Sequence, residues 1–141
     1  MLVTAKGRYA LVMMLDIAAQ LEGECVSLRD ISARQEISVK YLEQVAAQLV
    51  KAGLLKSVRG AQGGYLMAKP PHACTAGEVL RTVEVKLTQT DEADTPCQSG
   101  AACAAASFWD GFDRAVNGYM DGVSLKDLLD AQIERGYDYS I

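Results

Sequence analysis

At 141 residues the chain has the length of one domain, or of one domain with a short appendage, which excludes a large multidomain enzyme. Half of its residues are apolar but only 6% are aromatic, and no apolar run approaches the roughly 20 residues needed to cross a bilayer. The formal net charge of -4 is unevenly spread: residues 1–69 carry nine Lys and Arg against six Asp and Glu, and residues 70–141 carry five against twelve, the pattern of a basic module that meets a polyanion beside an acidic remainder.

The first predicted element runs from Lys6 to Leu21, where Tyr9, Val12, Met13, Ile17 and Leu21 recur every three to four residues as the stripe of an amphipathic helix. Ser27-Leu28-Arg29-Asp30 reads as a capping box opening a short helix that ends near Gln35. Glu36-Ile37 is the expected turn, and Ser38 caps a third helix built on Tyr41, Leu42, Val45, Leu49 and Val50, stopped by Gly53. Two short helices joined by a tight turn form the helix-turn-helix pattern, whose second helix can enter the DNA major groove. Strand-like Leu54 to Arg59, a turn over Gly60-Ala61-Gln62-Gly63-Gly64 and a return strand from Tyr65 to Ala68 add a wing. Pro70-Pro71 closes the wing, and Thr75-Ala76-Gly77-Glu78 opens another capped helix through about Glu84.

Beyond it, Lys86 to Pro96 is polar and acidic and reads as a mobile connector. From Cys103 to Met120 the residues Phe108, Trp109, Phe112, Ala115, Val116, Tyr119 and Met120 form a broad apolar stripe on one long helix. Ser124 caps a last helix, and Gly136 to Ile141 is a short tail. The expected fold class is mainly α with a small β-wing. Residues 1–84 form a winged helix-turn-helix DNA-binding domain, 85–102 a flexible Cys-containing connector, 103–134 a dimerisation helix and the helix after it, and 135–141 the tail. The aromatic stripe needs more cover than one small chain provides, so a homodimer is expected, matched to a palindromic site on double-stranded DNA.

Four ordered motifs carry a resemblance: Thr4-Ala5-Lys6-Gly7-Arg8-Tyr9, Ser38-Val39-Lys40-Tyr41-Leu42-Glu43-Gln44, Val58-Arg59-Gly60-Ala61-Gln62-Gly63-Gly64-Tyr65 and Thr75-Ala76-Gly77-Glu78. Through them the chain resembles the bacterial winged-helix regulators that include the iron-sulfur cluster regulator IscR, the nitric-oxide sensor NsrR and the cysteine-metabolism regulator CymR, and the cysteine-metabolism members most. The resemblance implies a dimeric transcription factor, usually a repressor. In a recognition helix starting at Ser38, the side chains of Ser38, Lys40, Tyr41, Glu43 and Gln44 are the candidates for DNA contact. Ser, Tyr and Lys suit phosphate oxygens, Gln44 suits an adenine edge and Glu43 a cytosine amino group. The resemblance implies the same base-discriminating role for Glu43. Arg59, beside the bend at Gly60, suits a narrow minor groove, and Lys6 and Arg8 suit phosphates.

With no export signal at the start, the four cysteines are expected as thiols in a reducing cytoplasm. Cys97 and Cys103 sit where cluster-binding relatives carry three cysteines, but here the third is missing and Ser107 is a poor substitute. Cys74 and the sole histidine, His72, precede a different helix. No cofactor is therefore expected, an iron-sulfur cluster on Cys97 and Cys103 being the alternative; the same pair also suits a reversible disulfide, another metal, or no role. Cys25 matches a redox-sensing cysteine of some cysteine-metabolism regulators. The tail residues Tyr139, Ser140 and Ile141 resemble both the ending of those regulators and the isoleucine-ended tail that inserts into O-acetylserine thiol-lyase (cysteine synthase), which makes that enzyme the expected partner. With one histidine, no P-loop, no G-x-S-x-G and no zinc-protease motif, no catalytic constellation can be assembled. An interaction adaptor that uses the wing fold without DNA is the rival class.

Overall fold

The computed structural model describes residues 3–84, 87 and 97–136. Its elements are α1 (Ala5–Ala18), α2 (Leu28–Gln35), α3 (Val39–Lys51), β1 (Leu55–Val58), β2 (Gly64–Met67), a 3-10 turn (Pro71–Ala73), α4 (Ala76–Val83), α5 (Gly100–Gly122) and α6 (Leu125–Glu134). None of the described helices is long and apolar enough to cross a membrane.

The helix starts follow their capping residues. Ser27, Ser38 and Thr75 accept the backbone N–H of Asp30, Tyr41 and Glu78, and Ser124 forms a reciprocal box with Asp127. The predicted turn between α2 and α3 is sharp, because Glu36 adopts a left-handed backbone with φ 56°. β1 and β2 pair antiparallel from Leu55 opposite Met67 to Val58 opposite Gly64, and Val26 bonds Tyr65 in both directions at 2.8 Å, tying the wing to the segment just before α2.

The core joins Ala10, Met13, Met14 and Ile17 of α1 with Ile31, Leu42, Val45, Leu49, Leu55, Val79 and Val83. α1 is shorter than its apolar pattern suggested. It ends at Ala18, and Tyr9, Val12 and Leu21 face outward while Ala10 and Met14 are buried. A buried charge replaces part of that stripe: Asp16 accepts from Arg34 at 2.7 and 3.0 Å and from Gln35 at 2.9 Å, clamping α2 onto α1. The Asp16 hydrogen bond, working against partial burial, raises the Arg34 guanidinium further above its ordinary value.

Two further corrections concern the C-terminal part. α5 begins at Gly100, capped by Ser99, three residues before the expected start at Cys103, so Cys103 lies inside its first turn. α6, which the sequence grouped with the long helix, returns to pack on α1 and on the 3-10 turn and places Leu125 in the core. The single apolar stripe on α5 also divides. Met120 and Asp113 are buried toward the rest of the chain, while Phe108, Trp109, Phe112 and Tyr119 remain 63%, 44%, 37% and 74% exposed. At the base of α5, Arg81 of α4 grips Asp121 at 2.6 and 3.1 Å and Asn117 at 2.8 Å. That grip, chiefly the hydrogen bond, holds the Asp121 carboxyl below the usual range.

Candidate nucleic-acid interface

α3 presents the predicted contact residues on its first two turns. Ser38, Lys40, Glu43 and Gln44 are exposed, while Leu42, Val45, Ala46 and Leu49 fix the opposite face in the core. Ser38 does two jobs: its oxygen caps α3 by accepting from Tyr41 at 3.2 Å, and its hydroxyl proton stays available to an acceptor outside. Tyr41 is half-buried and meets Tyr9 of α1 edge to face, with ring centroids 5.5 Å apart. Burial first, then the nearby Tyr9 and Glu84, push its hydroxyl up, so Tyr41 is a neutral donor at physiological pH.

Lys6 and Arg8 stand on the first turn of α1, the former half-buried and the latter exposed. That turn is capped from a distance. One carboxylate oxygen of Glu84, the residue after α4, accepts from the Thr4 N–H at 2.8 Å, the Thr4 hydroxyl at 2.8 Å and the Gly7 N–H at 2.9 Å. Glycine at position 7 leaves room for this, since a Cβ there would meet Glu84 Oε1 and displace the carboxylate. Arg59 and Gly60 occupy the wing tip, both exposed, with Gly60 at φ 112°, a conformation that side chains other than glycine rarely adopt.

Thus α1 and α3 bring Lys6, Arg8 and Tyr41 into one neighbourhood, whereas Arg59 belongs to the separate wing. Sequence patterning missed Glu84, because it caps a helix 77 to 80 residues earlier in the chain and no local spacing reveals that. It missed Asp16 because an acidic residue inside an apolar stripe reads as surface.

The cysteines fall into different environments. Cys97 and Cys103 are exposed, and their thiols hydrogen-bond each other; that bond, ahead of desolvation, raises the Cys103 thiol above its ordinary value. Cys25 is half-buried. Cys74 is wholly buried, and burial followed by the neighbouring Glu78 pushes its thiol up to about 11. It is therefore a core residue and not a spare ligand, while His72 is exposed in the 3-10 turn and Ser107 lies one turn beyond Cys103 on α5. Among the described residues no three His, Cys, Asp or Glu side chains gather as a metal ion requires. Two sulfurs are half the donor set of an ordinary iron-sulfur cluster, so a cluster on Cys97 and Cys103 would need donors beyond the described residues of one chain. The tail residues Tyr139, Ser140 and Ile141, and the connector from Lys86 to Pro96 apart from Leu87, lie outside the described residues.

Comparison with known proteins agrees with this geometry. The chain is 39% identical over 133 residues to the HTH-type transcriptional regulator IscR of Escherichia coli, covering 94% of this chain and 82% of that protein. Among solved structures, CymR, the global cysteine regulator of B. subtilis, superposes with a TM-score of 0.79 at 33% identity, covering 91% of this chain and 95% of that one. T. potens IscR gives 0.79 at 35% identity, covering 97% and 92%. Residues 3–131 match the Rrf2 model, described as an iron-dependent transcriptional regulator, and with the winged helix in place the chain belongs to the Rrf2 family of transcriptional regulators.

Proposed function

We propose that this protein is a homodimeric, operator-binding repressor whose α3 enters the major groove, whose wing reaches the minor groove through Arg59, and whose dimer forms along α5. The observation that carries the reading is α3 itself: its inner face is locked in the core while Ser38, Lys40, Glu43 and Gln44 stand free at its N-terminal end. In support of dimerisation, every residue from Ser99 to Phe112 is exposed in the single chain, three aromatic rings among them, a surface that a second copy would cover. Arg59→Ala weakens binding to an operator duplex at least tenfold, whereas Glu43→Ala mainly broadens sequence preference. Gel-shift titration checks both, and two variants that bind like wild type would remove these assignments.

For the signal, cysteine supply read through thiol chemistry is the favoured reading. It is supported by the likeness to a global cysteine regulator and by the exposed Cys97–Cys103 pair at the start of α5. Cys25 and docking of the Ile141 tail into O-acetylserine thiol-lyase belong to the same reading. Calorimetry of the two proteins, with and without deletion of Ile141, tests the docking: equal heats for both chains reject it. An iron-sulfur signal is the second reading, favoured by the 39% identity to IscR. Anaerobic reconstitution separates the two, since a visible absorption band with stoichiometric iron and sulfide, lost in Cys97→Ala and Cys103→Ala, would establish the cluster.

A further inference from the structure

We infer that Glu84 is a positioning residue for DNA binding: from the end of α4 its carboxylate sets the first turn of α1, and with it Lys6, Arg8 and Tyr41, in the arrangement that meets the phosphate backbone. The inference rests on the DNA-binding reading and names a residue that itself touches no nucleic acid.

Helix α1 has no cap of its own. Thr4 occupies the N-cap position, but its side chain accepts no hydrogen bond from the helix. A first turn left in that state frays, because its N–H groups lack partners. Glu84 supplies what is missing, taking the Thr4 N–H, the Gly7 N–H and the Thr4 hydroxyl on a single oxygen. A negative group at this end also suits the helix dipole. The Thr4 and Gly7 N–H groups are engaged in this way, and the turn they fix carries the Lys6 and Arg8 side chains toward a phosphate.

Tyr41 of the recognition helix packs edge to face on Tyr9, in the turn after the capped one, with ring centroids 5.5 Å apart. Glu84 at the end of α4 thus holds the start of α1, and α1 in turn meets the start of the recognition helix through Tyr9 and Tyr41. Gly7 belongs to the same contact, since the carboxylate fills the space its missing side chain leaves.

The test uses the full-length protein and a duplex that the wild type selects from a randomised library, with affinity measured by anisotropy across a range of salt. Glu84→Ala is expected to bind about tenfold more weakly and to lower the salt slope by about one unit per subunit, the signature of a lost phosphate contact. Glu84→Gln, whose amide oxygen still accepts, stays within about threefold of wild type. Gly7→Ala, which displaces the carboxylate, reproduces the lowered slope. Leu129→Ala, a buried position on α6, controls for stability: it lowers the melting temperature without changing the slope. An unchanged slope in Glu84→Ala, or a Gln variant as weak as Ala, overturns the inference. A wild type that selects no duplex and shows no salt-dependent affinity defeats the DNA-binding reading instead, so the two failures are distinct.

Discussion

Helices α1 and α5 both carry apolar stripes, yet they meet opposite fates. α1 finds its cover within the chain, with Met13 and Met14 fully buried against α3, α4 and α6. Among the described residues the first half of α5 finds none, and its rings meet one another: Phe108 and Trp109 lie 5.0 Å apart, Trp109 and Phe112 5.7 Å. The pattern of residues alone does not distinguish a helix that completes a core from one that offers a surface. What separates them is the neighbourhood, since α1 lies at the centre of the fold while, among the described residues, α5 is held in its second half, where Asp113 and Met120 are buried and Arg81 grips Asp121.

The strongest way to break the comparison is to charge the uncovered face. Trp109→Glu combined with Phe112→Glu should weaken self-association at least a hundredfold and cost operator affinity, while circular dichroism of the monomer stays that of a folded chain; each aromatic removed from a buried interface is worth about 2 kcal/mol or more. Sedimentation velocity reads the outcome, and an unchanged dimer would move the interface elsewhere. Next in size, Asp16→Ala attacks the covered face. It leaves Arg34 and Gln35 without their acceptor and should lower stability by about 2 kcal/mol in urea titration, with the dimer constant unaltered at protein concentrations well above it. A loss below about 0.5 kcal/mol would show that α2 is held by packing alone.

The smallest effect concerns the thiols, which sharpen the same contrast. In the native protein Cys97 and Cys103 should alkylate within minutes and Cys74 only after denaturation, as read by mass spectrometry. Burial holds the folded Cys74 thiol near 11, above its unfolded value of about 9, so the unfolded state loses its proton first. The Cys74 contribution is thus fully present below about pH 8 and declines as pH rises from about 9 to 11. Cys74→Ser should flatten that alkaline limb; a limb of unchanged steepness would assign it to other groups.

Much of this architecture was legible in local spacing. Ser27, Ser38, Thr75 and Ser124 each mark a helix start that the structure keeps, and the Gly60–Gly64 turn between two short apolar runs gave the wing. The start of α5 was not legible, because Gly100 and the alanines after it carry no apolar periodicity, and only the Ser99 cap marks the boundary. Nor was the return of α6 to the core, since Leu125 and Leu129 look the same in sequence whether they face α1 or a partner. Of the candidate site, the α3 residues follow from helix register alone. Glu84 and Asp16 act through partners far along the chain or through burial, and neither leaves a trace in residue spacing.

The return of α6 has a consequence for how the protein is made. The segment just before α4 and the segment just before α6 run side by side: the Ala76 N–H donates to the Val123 carbonyl and the Leu125 N–H to that of Cys74, each at 2.9 Å. A nascent chain that has emerged only through α4 therefore lacks both the strand-like brace at Cys74 and the leucine that closes the floor beneath α1. It must wait, with that floor open, while the ribosome adds some forty residues, on the order of seconds at ordinary elongation rates. The half of the molecule that reads as a self-sufficient module by sequence is thus completed last, by residues from the far side of α5, and a chain truncated after Glu84 would emerge with a sticky, unfinished core.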